Sequence, residues 1–275
     1  MLDLIKPYPE DFVMIVRKLG DGTAMLIGQS DHSRLSGILA AHWGNDRFER
    51  PRPFESALRA ATLHDAGWYR YETKPLYDAE TRFSPSFMQV PLDDVQLGAF
   101  QWATDWLTDI DPYAGMLINR HRSGLWRGRY GSVDYPVVYN AKNLSDKVEA
   151  FIARAEADHE ERLKSVDPHE FEVNYRLLQA WDFLSLYFCA KEPVPDHIEF
   201  VPQSYKDRGK EGVRLTLTPQ SETHVRIDPY PFDVDPLPIQ YVYRHLPRDS
   251  YDSEEDFRKA YYQANPELKH YVFVK

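Results

Sequence analysis

The sequence predicts an α+β fold in which a helical core is flanked by a sheet built from an N-terminal β-hairpin and C-terminal β-strands. Three observations carry that prediction. Apolar residues recur at helical spacing through much of residues 30–190, Asp21-Gly22 separates two short apolar runs near the start, and beyond Pro193-Val194-Pro195 the apolar period falls to two. The expected division is a hairpin segment over 1–28, a helical domain over 29–192 and a β-rich segment over 193–275 packed on the same domain.

The elements follow in order. Met14 to Ile27 reads as a hairpin, because Asp-Gly supplies the positive φ angles of a tight turn. Ser30 is placed to cap a helix through Trp43, with Leu35, Ile38 and Leu39 on one face and Gly44 ending it. A second helix is expected from Pro53 to Asp65, stopped at Gly67. Ala66 to Pro91 has no clear period and is expected to form a lid or wall over His64 and Asp65. Leu92 to Trp126 reads as two helices broken near Asp111-Pro112, with Trp102 and Trp106, four apart, expected in the core. After an irregular aromatic stretch over Arg127–Asn140, charged and apolar helices are expected over 143–164 and 168–191. Val213/Leu215/Leu217, Val225/Ile227, Ile239/Tyr241/Tyr243 and Tyr271 to Val274 read as strands, with a short helix near Ser253 to Gln263.

Composition narrows the function. In a chain of 275 residues, 33 Lys+Arg against 43 Asp+Glu leave a net charge of −10, which argues against tracking a nucleic-acid polymer but permits one local basic pocket. No run of 18 uncharged apolar residues is present, so no membrane span is expected. The single cysteine, Cys189, fits a buried thiol in a reducing compartment. With no signal peptide apparent, a cytoplasmic location is expected.

Several polar residues stand where an apolar one is expected. His32 shares a helix face with Leu35 and Leu39, His64 with Ala57, Ala60 and Ala61, and His121 lies between Leu117-Ile118 and Leu125. Asp182 belongs to the stripe of Tyr175, Leu178, Leu186 and Cys189, and a buried carboxylate needs a cation or several donors. Asp65 closes a helix, where the macrodipole disfavours negative charge. Singly, each has an ordinary reading: an inward histidine bonded to a backbone carbonyl, or an aspartate capping a turn. Jointly, one metal ion explains them all.

The ordered set resembles the HD superfamily of metal-dependent phosphohydrolases, and also an HD-like bacterial family of unassigned function. The matching stretches are Gln29-Ser30-Asp31-His32-Ser33-Arg34-Leu35, Leu63-His64-Asp65-Ala66-Gly67-Trp68 and Ala180-Trp181-Asp182-Phe183-Leu184. The resemblance implies an all-helical HD-like core in which His32, His64, Asp65 and Asp182 bind one divalent transition metal (Mn, Fe, Ni, Co or Zn). Two-metal relatives, among them diiron oxygenases such as myo-inositol oxygenase, place two further histidines before the last aspartate. His121, His159 and His169 fall in that interval, but His159 reads as solvated and His169 lies about 20 Å of helix from Asp182, leaving His121 as a fifth ligand or a substrate-facing acid or base.

Arg120, Arg122, Arg127 and Arg129 cluster around His121, either as a phosphate or carboxylate pocket or as a solvated helix edge paired with acids. Lys74 and Arg82 are placed to close over the same pocket. The expected function is hydrolysis of a small phosphorylated, hence anionic, substrate, with Asp65 and His121 at the chemistry and Arg120, Arg122, Lys74 and Arg82 on the substrate. The rivals are an HD-type iron-dependent oxygenase and a non-catalytic HD-like binding scaffold.

Overall fold

The structure is a computed structural model that describes residues 14–69, 72–86, 94–127, 144–208 and 211–275. The hairpin forms as β1 (Ile15–Lys18) and β2 (Ala24–Ile27), joined at Asp21, whose carboxylate accepts from the backbone N–H and hydroxyl of Thr23. Helices follow as α1 (Gln29–Ala41), α2 (Phe54–Leu63), a 3-10 turn (Ala66–Trp68), α3 (Asp94–Ile110), α4 (Pro112–Trp126), α5 (Asp146–Leu163) and α6 (Pro168–Cys189). The break before α4 falls at the expected Asp-Pro step, where the Asp111 side chain accepts from Ala114 N and Pro112 fills the first helical position. Strands β3 (Asp196–Val201), β4 (Val213–Pro219), β5 (His224–Asp228) and β6 (Leu237–Leu246) come next, then α7 (Glu254–Gln263) capped by Ser253, and β7 (Pro266–Val274).

The expectation of an all-helical core with a flanking sheet is corrected here. Among the described residues the strands form one curled, seven-stranded mixed sheet in the order β1-β2-β6-β7-β5-β4-β3, antiparallel except for β5 beside β7. Its inner face is half of the main core. Leu215, Leu217, Val225, Ile227 and Phe273 are fully buried in the same cluster as Leu35, Leu39, Trp181 and Leu184 from the helices. The physical reason is that α1 and α6 are buried on more than one side. They pack on each other and on the sheet, α1 against β6 and α6 against β3, so neither layer closes a core alone.

Three local expectations also change. Ser30 does not cap α1. Glu72, from the stretch after the 3-10 turn, takes both Ser30 N–H and Ser30 Oγ–H on its carboxylate oxygens and thereby satisfies the N-terminus of α1. Replacing Glu72→Gln puts an N–H₂ donor where an acceptor is needed, and should cost about 1 kcal/mol in chemical denaturation. Trp102 and Trp106 are not core. Stacked on each other at 5.5 Å, they remain 39% and 36% exposed on α3.

Of the stretch expected to cover His64 and Asp65, the first part stays beside α1, where Glu72 holds Ser30, whereas Tyr77 and Phe83 pack against Tyr251 and α7. Phe83 stacks on Tyr251 and meets Phe257 edge-on, and the Tyr77 hydroxyl donates to Tyr251 O. Among the described residues no helix is long and apolar enough to cross a membrane. Cys189 is free and buried, as the sequence implies, and burial pushes its thiol pKa up.

Candidate metal centre

Four helices converge on one buried cluster. α1 contributes His32, the residues just past α2 contribute His64 and Asp65, α4 contributes His121 and Arg122, and α6 contributes Asp182. All six are buried, and Arg122 is the most open, with 11% of its side chain exposed. His64 continues α2 in helical conformation. Asp65 leaves it at φ −111°, ψ 15°, turning its carboxylate toward α1 and α4 instead of leaving it at the negative end of the dipole.

Asp65 Oδ2 lies 2.7 Å from His32 Nε2 and 3.7 Å from His64 Nε2. Asp182 Oδ1 lies 3.3 Å from His64 Nε2 and 3.7 Å from His32 Nδ1, while its Oδ2 lies 3.4 Å from His121 Nε2. His32, His64 and Asp182 each offer one ligand atom within 4.8 Å of the others.

The hydrogen-bond partners fix what the rings present. His64 Nδ1 sits 2.9 Å from Ala61 O, which can only accept, so Nδ1 carries the hydrogen and Nε2 a lone pair. Ser185 Oγ lies 2.8 Å from Asp182 O, 3.0 Å from Ser36 Oγ and 2.9 Å from His32 Nδ1. His32 is thus held at both ring nitrogens, with Nε2 hydrogen-bonded to Asp65 Oδ2 at 2.7 Å. Burial lowers both histidine pKa values to about 4, so the rings are neutral at pH 7. Burial alone would raise the Asp182 pKa, yet the adjacent His121 ring holds it well below the usual carboxylate range.

The neutral His64 Nε2 thus turns its lone pair on Asp182 Oδ1 at 3.3 Å in a dry pocket, acceptor against acceptor. That arrangement repels unless a cation sits among them. It also has the right dimensions. Ligand atoms held roughly 2.0–2.3 Å from one ion lie about 3 Å from each other, close to the spacings of 2.7 and 3.3 Å seen here. The His64 N–H on Ala61 O and the contact of His32 Nδ1 with Ser185 Oγ are the outer contacts that fix ring orientation at metal sites. The residues fit a divalent transition ion with mixed imidazole and carboxylate ligands.

The basic residues part company. Arg122 Nη2 pairs with Asp65 Oδ1 and donates to His64 O at 3.3 Å, with its guanidinium 4.5 Å from the centre of the Phe100 ring. Arg120 lies over Tyr175, and Arg127 takes the surface reading, paired with Glu149 and Glu156 of α5. Arg129 lies outside the described residues, as does the aromatic stretch beyond Arg127.

Arg82 pairs with Asp252 and donates to Tyr251 O at 3.2 Å, and the segment of Lys74 is fastened to α7 by Tyr262, whose hydroxyl donates to Thr73 O. Neither contact belongs to the histidine cluster. Arg82→Ala should therefore leave metal content and anion affinity within about twofold of wild type by titration calorimetry, since the contacts it removes, to Asp252 and Tyr251 O, lie outside that cluster. Of the other histidines, His159 is buried against Phe171 at 5.0 Å instead of solvated, His169 Nε2 meets Tyr205 O, and His42 meets Asp233.

Sequence reasoning missed Ser185 and Ser36, which orient His32. Their signal was available: Ser185 lies three residues after Asp182 and Ser36 four after His32, each on the same helix face as a candidate ligand.

Fold and site together define a class: an α+β protein in which four helices enclose a His/Asp/Arg centre beside a curled mixed sheet. The chain belongs to the family described as "Protein of unknown function (DUF3891)", whose family model matches residues 14–248. No curated protein and no solved structure matches it. The family match brings no link to the HD superfamily and no support for hydrolase activity.

Proposed function

We propose that the protein is a metal-dependent hydrolase that acts on a small phosphorylated substrate at one divalent transition ion held by His32, His64, Asp65 and Asp182. The observation that carries this reading is the buried acceptor-against-acceptor contact of His64 Nε2 with Asp182 Oδ1 at 3.3 Å, in a group of His32, His64 and Asp182 whose ligand atoms lie within 4.8 Å of one another. The resemblance of the three quoted stretches to HD phosphohydrolases supports the same ligand set and the phosphorylated substrate.

An ion there supplies Lewis acidity, acidifying water and polarising a phosphoryl oxygen. The protein's own groups do the rest. Ala61 O holds the His64 ring in the tautomer that turns the Nε2 lone pair inward, and Ser185 fixes the position of the His32 ring. His121, beside Asp182 Oδ2, keeps that carboxylate ionised and oriented, and is the group nearest the ligands for moving a proton. Arg122 supplies positive charge at the most open edge of the cluster, where the substrate anion binds. A diiron oxygenase needs a second ligand cluster. His159 and His169 are occupied with Phe171 and Tyr205 O, so the one-metal reading is favoured.

The test is a panel of phosphatase and phosphodiesterase substrates against protein reloaded with Mn, Fe, Co, Ni or Zn. Metal-dependent phosphate release is expected from wild type, and at least about 100-fold less from Asp65→Ala. Stoichiometric metal with no turnover of any substrate would overturn the hydrolase and leave a metal-binding protein.

A further inference from the structure

Arg122 lies where two functions meet. Its Nη2 holds the outer oxygen of Asp65, Oδ1, while the inner oxygen, Oδ2, faces His32 Nε2. The same guanidinium is anchored by His64 O and by the Phe100 ring, both attached to structure that does not depend on an ion. It is also the most exposed side chain of the cluster, at 11% against 0% for His64 and His121. With two carboxylates and one guanidinium, the metal-free centre is one unit negative, and a divalent ion makes it one unit positive.

We infer that Arg122 is a coupling residue: through the Asp65 carboxylate it makes binding of the divalent metal and of a phosphate-monoester-like dianion mutually reinforcing, so that the metal-free protein rejects the anion. Without metal, the full charge of Asp65 holds Arg122 and repels a dianion. With metal on Oδ2, charge is drawn away from Oδ1, the guanidinium is less neutralised, and it offers planar donors to phosphoryl oxygens. By linkage the anion must then tighten the metal by the same factor. This inference rests on the metal centre proposed above and adds an order of binding that the ligand set alone does not require.

The experiment is titration calorimetry of the full chain with Mn²⁺ and with phenylphosphonate, a phosphate-monoester mimic that is not hydrolysed. In wild type, saturating Mn²⁺ should raise phenylphosphonate affinity about tenfold or more, and phenylphosphonate should raise Mn²⁺ affinity equally. Arg122→Met should still bind Mn²⁺, as tightly or more so, with the coupling factor reduced at least about fivefold. Arg122→Lys, which keeps a point charge but not the fork, should fall between.

Coupling undiminished in a Mn²⁺-binding Arg122→Met would put the anion on the metal alone and overturn the inference. Loss of Mn²⁺ binding in both variants would reduce Arg122 to a support for Asp65 and overturn it as well. Wild type that binds Mn²⁺ but not phenylphosphonate overturns the inference alone, whereas wild type that binds no divalent metal overturns the metal centre with it.

Discussion

Asp182→Asn is expected to lose metal binding while leaving the metal-free fold as stable as wild type or more so. Asp182 is buried with Oδ1 3.3 Å from the His64 Nε2 lone pair, a contact that repels until a cation enters. An amide of the same shape removes the charge and offers an N–H to His64 Nε2. The cost appears only when metal is added. Wild type at 100 times the dissociation constant gains about 2.7 kcal/mol from the ion, and the variant, with affinity reduced at least about 100-fold, gains almost none. Thermal unfolding with and without Mn²⁺ reads both halves. Wild type is the more stable only in the presence of metal. A variant that binds Mn²⁺ within about threefold of wild type would contradict the assignment of Asp182.

Gly67→Ala is the substitution with the largest expected effect on the fold itself. Gly67 lies in the 3-10 turn two residues after Asp65, and a Cβ there would stand 2.0 Å from Ala99 O and 2.7 Å from Ala99 C on α3. Those are backbone atoms of a helix, so no rotamer relieves the contact. Either α3 or the turn must move by roughly 1 Å, at a cost of about 3 kcal/mol. The turn carries Asp65, so metal affinity should fall with stability. Gly98→Ala is the control on the same helix. A Cβ at Gly98 meets nothing within 4 Å, and the change should stabilise the protein by about 0.8 kcal/mol through helix propensity. Urea denaturation of the two variants should give shifts of opposite sign, and a Gly67→Ala protein as stable as wild type would contradict the packing described.

How much was legible in the sequence follows from the range of the interactions involved. His32, His64, Asp65, His121 and Asp182 stood out because each breaks an apolar helical stripe, and that periodicity is local. Arg122 was legible as charge near His121, but its separation from Arg120 and Arg127 was not. Consecutive positions on α4 face different neighbours, Asp65 for Arg122 and Tyr175 for Arg120.

Arg82 was assigned to the wrong place because loop destinations depend on contacts far along the chain, here Tyr251 and Asp252. Trp102 and Trp106 show the ambiguity of spacing alone, since residues four apart share a face without revealing whether it is buried. The two-residue alternation found β4, β5, β6 and the end of β7, but not β3 over Asp196–Val201. It could not reveal that β2 pairs with β6, or that β5 lies parallel to β7, because neither pairing is between sequence neighbours. The helical interval thus looked self-sufficient when its core is shared with the sheet.

The central claim is a single metal ion held between α1, the end of α2 and α6. An anomalous difference map from a crystal of the protein grown or soaked with Mn²⁺ or Zn²⁺ tests it most directly. The account predicts one strong peak roughly 2.0–2.3 Å from His32 Nε2, His64 Nε2, Asp65 Oδ2 and Asp182 Oδ1. No peak at that point in metal-saturated crystals, or a lone peak elsewhere with these four side chains still in mutual contact, would contradict it.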